Sequence, residues 1–547
     1  MDYYDLGTYS CKVATTSADA QRWFDRGLTW MYGYNHEAAI QCFQQCLQAD
    51  PTCAMAHWGI GYAIGPNYNK PWETFEADEK NEALQLALAS VAKASALAAS
   101  ATSFEQALIA ALSHRYPTDT DSDDFAPWND AFANAMRQVY AEHSQNLDVC
   151  ALFAEALMNR TPWELWDLES GQPVDGASTR EAVTTMEKAF DTIDGAWRHP
   201  GLLHMYIHAM EMSPTPEKAL RHGDQLSELI PDAGHLLHMA THIDVLCGDY
   251  GNVVVRNRAA VSADRKYVER EGPENFYSIY RCHNMHFLIY GAMFLGQPEP
   301  ALEMAEELMT AIPEAYLRTV ADWFEGFLPM KQHVLIRFGR WHDILDQPLP
   351  DDTELYCVTT AMMRYARTVA LANTKRLAEA EAERDAFLAA RAAVPESRTL
   401  FNNTCQDILG VAEQMMLGEL AYHQGKFEQA FDHLRKSVEI DDNLPYDEPW
   451  GWMQPTRHAL GALLMEQGHY DEAEATYRAD LGLDATLSRA CQHPGNVWSL
   501  HGLHECLTRR GEHVEARHIQ LQLDRAIARA SVPVKASCYC RSVAASA

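Results

Sequence analysis

A small residue recurs at a matching place in helix-length segments of this chain, and that recurrence limits the fold more than any other feature. Gly27 is followed by Ala39, Gly418 by Ala430 and Gly461 by Ala473, and turns reading Gly425-Lys-Phe and Gly468-His-Tyr separate the last two pairs. Small residues let two antiparallel helices approach closely, while large neighbours such as Trp23, Trp30 and Phe43 fill the space around them. Asp50-Pro51 ends one unit and starts the next, because the residue before a proline is pushed out of helical geometry. Amphipathic segments continue between these ends, at 78–99, 126–143, 148–159 and 377–394, with almost none of the β-branched alternation that marks strands. The fold class expected is all-α, a solenoid of helical hairpins.

Residues 20–51 fit the 34-residue tetratricopeptide pattern through Trp23, Arg26, Gly27, Trp30, Ala39, Phe43 and Pro51. A last helical pair is expected from about Pro494 to Ala530, with Trp498, Gly502 and Ala516. A chain of 547 residues is too long for one compact core. The division expected is an N-terminal tetratricopeptide unit at 1–66, diverged helical hairpins at 67–197 and histidine-rich units at 198–312. A helical connector at 313–398, C-terminal tetratricopeptide units at 399–530 and a cysteine-containing tail at 531–547 complete it, all in one continuous superhelix.

The formal charge of −32 argues against nucleic acid or an anionic membrane as the main partner. The first residues lack a secretory pattern, and no run of apolar residues reaches the length of a membrane span, so a cytoplasmic protein is expected. Thirteen cysteines without framework spacing fit a reducing compartment.

The stretch from His199 to Phe287 departs from what a helical scaffold needs. It reads Gly201-Leu-Leu-His204-Met-Tyr206-Ile-His208-Ala-Met-Glu211, then Gly234-His235-Leu-Leu-His238-Met-Ala-Thr-His242, then Cys282-His283-Asn-Met-His286-Phe287. In the C-terminal repeats the alanine lies five residues after the turn glycine; the same offset from Pro214, Gly248 and Gly296 marks Ala219, Val253 and Ala301. Units then begin at Pro200, Gly234 and Cys282, with a 14-residue insertion in or beside the second. Positions 2, 5 and 9 of the three units hold Gly201, His204, His208; His235, His238, His242; and His283, His286, Tyr290. Nine slots should hold about 0.4 histidines by chance, and they hold seven. Residues three, four and seven apart share a helix face. Neutral imidazoles suit copper, zinc, iron or nickel, and Glu211, on the same face as His204 and His208, is a ligand, an orienting partner or a general base.

Several further motifs accompany these: Tyr32-Gly-Tyr-Asn-His36-Glu37, Gly59-Ile-Gly61-Tyr-Ala-Ile-Gly65-Pro-Asn67 and Ala156-Leu-Met-Asn159-Arg-Thr-Pro-Trp163-Glu-Leu-Trp166-Asp167. Others are Asp447-Glu448-Pro449-Trp450 through Arg457-His458, Pro494-Gly-Asn496-Val-Trp498 and Ala536-Ser-Cys538-Tyr-Cys540-Arg541. On these stretches, which span nearly the whole chain, the sequence resembles a poorly characterised family of bacterial and fungal tetratricopeptide proteins. The resemblance implies a tetratricopeptide superhelix whose concave groove is lined by positions 2, 5 and 9 of each first helix, and it implies no particular reaction.

The site expected is a metal centre on His204, His208, His235, His238, His242, His283 and His286. Five to seven imidazoles exceed one tetrahedral zinc site and fit two ions or a multi-histidine copper centre. The leading functional reading is a copper-dependent oxidoreductase of a small molecule, with iron second. Glu211 takes up a proton in that scheme, and Tyr206, Tyr280 or Tyr290 supplies a proton or electron. His36, Arg457 and His458 are candidates for contacts with substrate or ligands, as are Cys538 and Cys540 if the tail folds back. The alternatives are a zinc- or iron-dependent hydrolase with Glu211 as base, and a non-enzymatic scaffold that binds a peptide or protein partner.

Overall fold

A computed structural model describes residues 3–118, 122 and 124–541. Its only β-structure among the described residues is one two-stranded ladder, Thr399–Leu400 with Asn403–Thr404, and two isolated bridges. The all-α expectation therefore holds. The chain divides into two units, Met1–Ile243 and Asp244–Ala547, and the division falls inside the histidine-rich stretch.

In the first unit the opening hairpin shows how local sequence sets the geometry. Ser17 caps the helix Ala18–Tyr32 by accepting a hydrogen bond from the Ala20 amide, and Asn35 caps His36–Ala49 through the Ala38 amide. A Cβ added at Gly27 would lie 2.6 Å from the Phe43 ring, so only glycine allows this approach. The same arrangement returns twice in the second unit, where Gly418 faces Leu434 and Gly461 faces Tyr477 at 2.7 and 2.6 Å. Trp30, Ala39 and Phe43 are buried as expected, but Trp23 is only half-buried, under the Arg26 guanidinium at 4.6 Å.

The first unit continues through Ala54–Ala63, Ala77–Leu97, Ser103–Leu112, Ala126–His143, Leu147–Met158 and Thr179–Thr192 to Pro200–Glu211. The span Ala77–Ser100 is long and apolar enough to cross a membrane by length and composition, which corrects the expectation that no segment would be. All its charges but Lys93 fall in the first turns, and Ala83, Leu84, Ala87, Val91 and Ala94 are buried at helical spacing, the pattern of a helix packed against its neighbours.

In the second unit Tyr250–Glu271 pairs with Ser278–Leu295. Val253 and Ala301 are fully buried after their turn glycines, as the register requires. The inserted residues extend the 22-residue helix Tyr250–Glu271 and the loop after it, so the third histidine helix begins at Ser278, four residues before the unit boundary read from the sequence. The hairpins Cys405–His423 with Phe427–Asp442, Thr456–Gln467 with Tyr470–Asp480 and Val497–Arg510 with His513–Ile527 complete the unit.

The tail folds back onto this unit. Ser537 shares a hydrogen bond with the Tyr477 hydroxyl at 2.7 Å and donates to the His458 carbonyl at 2.8 Å, while Arg337 donates to the Ser537 carbonyl. Cys538 and Cys540 are joined as a disulfide, and Cys540 is buried.

If Gly27 is held by the Phe43 ring, Gly27→Ala should cost about 1–3 kcal/mol, and adding Phe43→Leu should recover part of it. Urea denaturation followed by tryptophan fluorescence reads both.

Candidate metal centre

The helix Pro200–Glu211 is fixed at its first residue. His199 is its N-cap: its Nδ1 accepts from the Leu202 amide at 3.1 Å, and its Nε2 lies 3.0 Å from the Tyr9 hydroxyl and 3.3 Å from Asp148. Asp148 also accepts hydrogen bonds from Tyr9 and, at 2.8 Å, from Tyr32. Gly201 follows because the Tyr32 ring occupies the space a side chain would need, 2.5 Å from an ideal Cβ. The one first-helix slot of the first unit without histidine therefore has a steric cause.

His204, His208 and Glu211 then line one face of this helix, all without exposed surface. His204 Nδ1 is 2.6 Å from the Tyr32 carbonyl, which can only accept, so that nitrogen carries the proton and Nε2 the lone pair. Glu211 Oε1 does the same for His208, 2.9 Å from its Nδ1, and Glu211 Oε2 lies 2.9 Å from His242 Nδ1. The Nε2 atoms of His204 and His208 have no hydrogen-bond partner among the described residues. His204, His208 and His235 each offer a ligand nitrogen, all within 4.8 Å of one another. A buried carbonyl or carboxylate behind the outer nitrogen, with the inner nitrogen left free, is how proteins orient imidazoles toward a metal.

His238 and His242 follow on the next helical turns, with their Nε2 atoms 2.8 Å apart and Thr241 beside His238 Nδ1 at 3.2 Å. Burial, and then the neighbouring histidines, hold His204 and His208 well below the usual imidazole range, which keeps them neutral and able to bind a metal. Burial raises the Glu211 carboxyl and His242 opposes that shift.

Three aromatic rings border the pair. Tyr34 lies 4.7 Å from His204 and 5.9 Å from His208, Tyr68 lies 5.1 Å from His208, and Trp163 lies 5.9 Å from it. Tyr34 and Tyr68 were not singled out from the sequence, although Tyr34 stands in a motif that was and Tyr68 directly follows another. His36 is beside Tyr34 at 6.2 Å, and burial lowers its pKa to about 3.

Tyr206 faces the other way. Its hydroxyl donates to Glu187 at 3.0 Å and its ring packs on His222 at 4.1 Å, as expected for a residue two positions from His204 and from His208 on a 3.6-residue helix.

The remaining sequence candidates belong to the second unit. His283 packs edge-on against Phe287 and Phe401, and His286 Nε2 lies 2.8 Å from Met453 Sδ. Tyr280 packs against Tyr277 at 5.7 Å. The Tyr290 hydroxyl is 3.0 Å from His493 Nε2, whose Nδ1 is 2.8 Å from Asp480. Asp480, unmarked in the sequence reading, also receives His458 at 3.0 Å and Asn496 at 2.9 Å. It is held well below the usual carboxylate range by His458 and His493 against its burial. Arg457 is paired with Asp442. Cys538 and Cys540, as a disulfide, present no thiolate.

The tetratricopeptide-repeat family profile matches residues 23–53. No curated protein sequence matches the chain. Among solved structures, a human IFIT1 dimer with m7Gppp-AAAA is 10% identical, over 94% of this chain and 91% of that one, with a TM-score of 0.31. The P58(IPK) TPR domain is 12% identical over 94% and 98%, and Naa15/Naa10 bound to HypK-THB is 13% identical over 93% and 72%, both with a TM-score of 0.21. Similarity this low says nothing of ligand or chemistry.

Replacing Glu211 by Leu leaves the buried His208 Nδ1–H without an acceptor, removes the carboxylate beside His242 Nδ1, and should cost about 2–5 kcal/mol by denaturation. His36 and His333 are both held neutral down to about pH 3 in the folded chain by burial, whereas an unfolded imidazole protonates near 6.5. Between those values the unfolded chain binds more protons. Stability should therefore fall as pH drops below about 6.5, by up to about 1.4 kcal/mol per pH unit for each such histidine; an unchanged midpoint between pH 7 and pH 5 would contradict this.

Proposed function

We propose that this chain is a helical-repeat metalloprotein that holds a transition-metal ion on His204, His208 and His235 and uses it to oxidise a small molecule. One observation carries the reading: two fully buried imidazoles have their outer nitrogens fixed by Tyr32 and Glu211, and their inner nitrogens unpartnered beside His235. An all-nitrogen set of neutral imidazoles fits copper first, with iron and zinc also chemically compatible. Bound there, copper would supply one-electron redox chemistry. The chain's part is to keep His204 and His208 neutral, to hold the ligand nitrogens of the three rings together and to exclude water.

Glu211 in this reading is a positioning residue. Its Oε1 is hydrogen-bonded to His208 and its Oε2 lies 2.9 Å from His242 Nδ1, so action as a general base would first require it to move away from a ring. That weighs against the metal-dependent hydrolase. A second reading, a scaffold for a protein partner, is supported by the repeat match at residues 23–53 and by the helical hairpins themselves.

Metal analysis after dialysis against chelator separates the two. The account expects about one copper or other transition-metal ion per chain, lost in His208→Ala and kept in His458→Ala. His238→Ala reports whether the neighbouring pair shares the ion. Metal-loaded protein should consume oxygen with a phenolic reductant, and the His208→Ala protein should not. Protein that retains no metal would leave only the scaffold.

A further inference from the structure

The histidines of the proposed metal site come from two elements, Pro200–Glu211 for His204 and His208 and Gly234–His238 for His235. The second is only five residues long, and its N-cap residue, Ala233, makes no side-chain cap. A helix that short does not hold itself in water, so its place depends on what grips the chain around it. Leu236 seats against Gly33, where an added Cβ would lie 3.3 Å from its side chain. The chain leading into the helix is gripped by a segment more than two hundred residues away, around Asp5 and Gly7.

Asp5 and Asp232 pair in both directions. The Asp5 N–H donates to the Asp232 carboxylate at 2.8 Å, and the Asp232 N–H donates to the Asp5 carbonyl at 3.0 Å. Gly7 then turns at φ 73°, in the left-handed region that favours glycine, and an added Cβ would collide with the Leu229 carbonyl oxygen. Two residues on, Tyr9 donates to Asp148, and its hydroxyl lies 3.0 Å from Nε2 of His199, the cap of Pro200–Glu211. The Tyr9 ring also packs edge-on at 6.2 Å against Tyr32, whose carbonyl orients His204. The run Asp5 to Tyr9 therefore joins the lead-in of one ligand helix to the cap of the other. Tyr4 and Leu6 are buried, yet a cavity of about 380 Å³ remains between residues 4–10 and the face of Ala18–Tyr32 that carries Gln21, Asp25 and Thr29. The segment is thus fixed by its point contacts and not by continuous packing.

We propose that residues 5–9 act as a clasp that sets the spacing of the His235 element from the helix of His204 and His208, with Gly7 and Tyr9 as positioning residues for metal binding. A metal site tolerates little slack, since ligands about 1 Å out of place no longer converge on one ion. The part played in metal binding rests on the metal reading; the clasp itself is measured without metal.

Gly7→Ala drives a methyl group into the Leu229 oxygen, and Tyr9→Phe removes the hydroxyl shared by Asp148 and His199. Gly176→Ala is the control: its φ is 85° and no atom lies within 4 Å of the added Cβ, so it strains the backbone away from the clasp. In the metal-free full chain, hydrogen exchange followed by mass spectrometry should quicken across residues 234–239 in Gly7→Ala and across 200–204 in Tyr9→Phe, and in neither segment in Gly176→Ala. In competition with a chelator, both clasp variants should bind copper about ten- to a hundredfold more weakly than the unaltered chain. Their Cu(II) electron paramagnetic resonance spectra should shift as well, while Gly176→Ala keeps both affinity and spectrum. Unchanged exchange in Gly7→Ala and Tyr9→Phe would overturn the clasp, whether or not the chain holds metal. Faster exchange with copper affinity and spectrum unaltered would overturn its part in the metal site. An unaltered chain that binds no copper would end the metal reading and leave the exchange result to decide the clasp.

Discussion

The buried carboxylate of Glu211 is the interaction on which the candidate site depends. It lies one helical turn from His208 and reaches His242 on a second segment, so a single side chain sets the orientation of rings from two elements. A carboxylate without exposed surface is costly unless it is partnered, and here one oxygen accepts the His208 N–H while the other lies 2.9 Å from His242 Nδ1. The same bonds decide the tautomers. With Nδ1 protonated, His208 can present only Nε2 to the interior, and the Tyr32 carbonyl imposes the same choice on His204.

That arrangement needs a rigid first helix. The His199 cap, its contacts with Asp148 and Tyr9, and the close seat of Tyr32 on Gly201 tie the start of Pro200–Glu211 to the rest of the first unit. Tyr32 thus serves twice, its ring packing where position 2 would carry a histidine and its carbonyl orienting His204. Asp480 organises the second unit in a comparable way by gathering His458, His493, Asn496 and Ser499, so the histidines there are held chiefly by carboxylate and aromatic neighbours.

The helical hairpins were legible because they depend on short-range pattern: a glycine in one helix, a large residue in the next and, in the C-terminal pairs, a turn glycine at positive φ between them. The histidine register was legible for the same reason, since turn positions fix which residues share a face. The facing of Tyr206 was derivable from helical period, yet proximity in sequence to His204 suggested otherwise. What sequence could not supply were contacts between distant segments: the Tyr32 carbonyl behind His204, the aromatic border of Tyr34 and Tyr68, and the return of the tail to Tyr477. The extent of Tyr250–Glu271 was missed because an insertion that preserves helical pattern leaves no break to mark it.

The most direct test is an X-ray structure of the copper-loaded protein with data collected at the copper absorption edge. The account predicts one strong anomalous peak about 2.0–2.2 Å from the inner nitrogens of His204, His208 and His235, with Glu211 still bridging His208 and His242. A peak elsewhere, or none at a concentration that saturates binding, would contradict it.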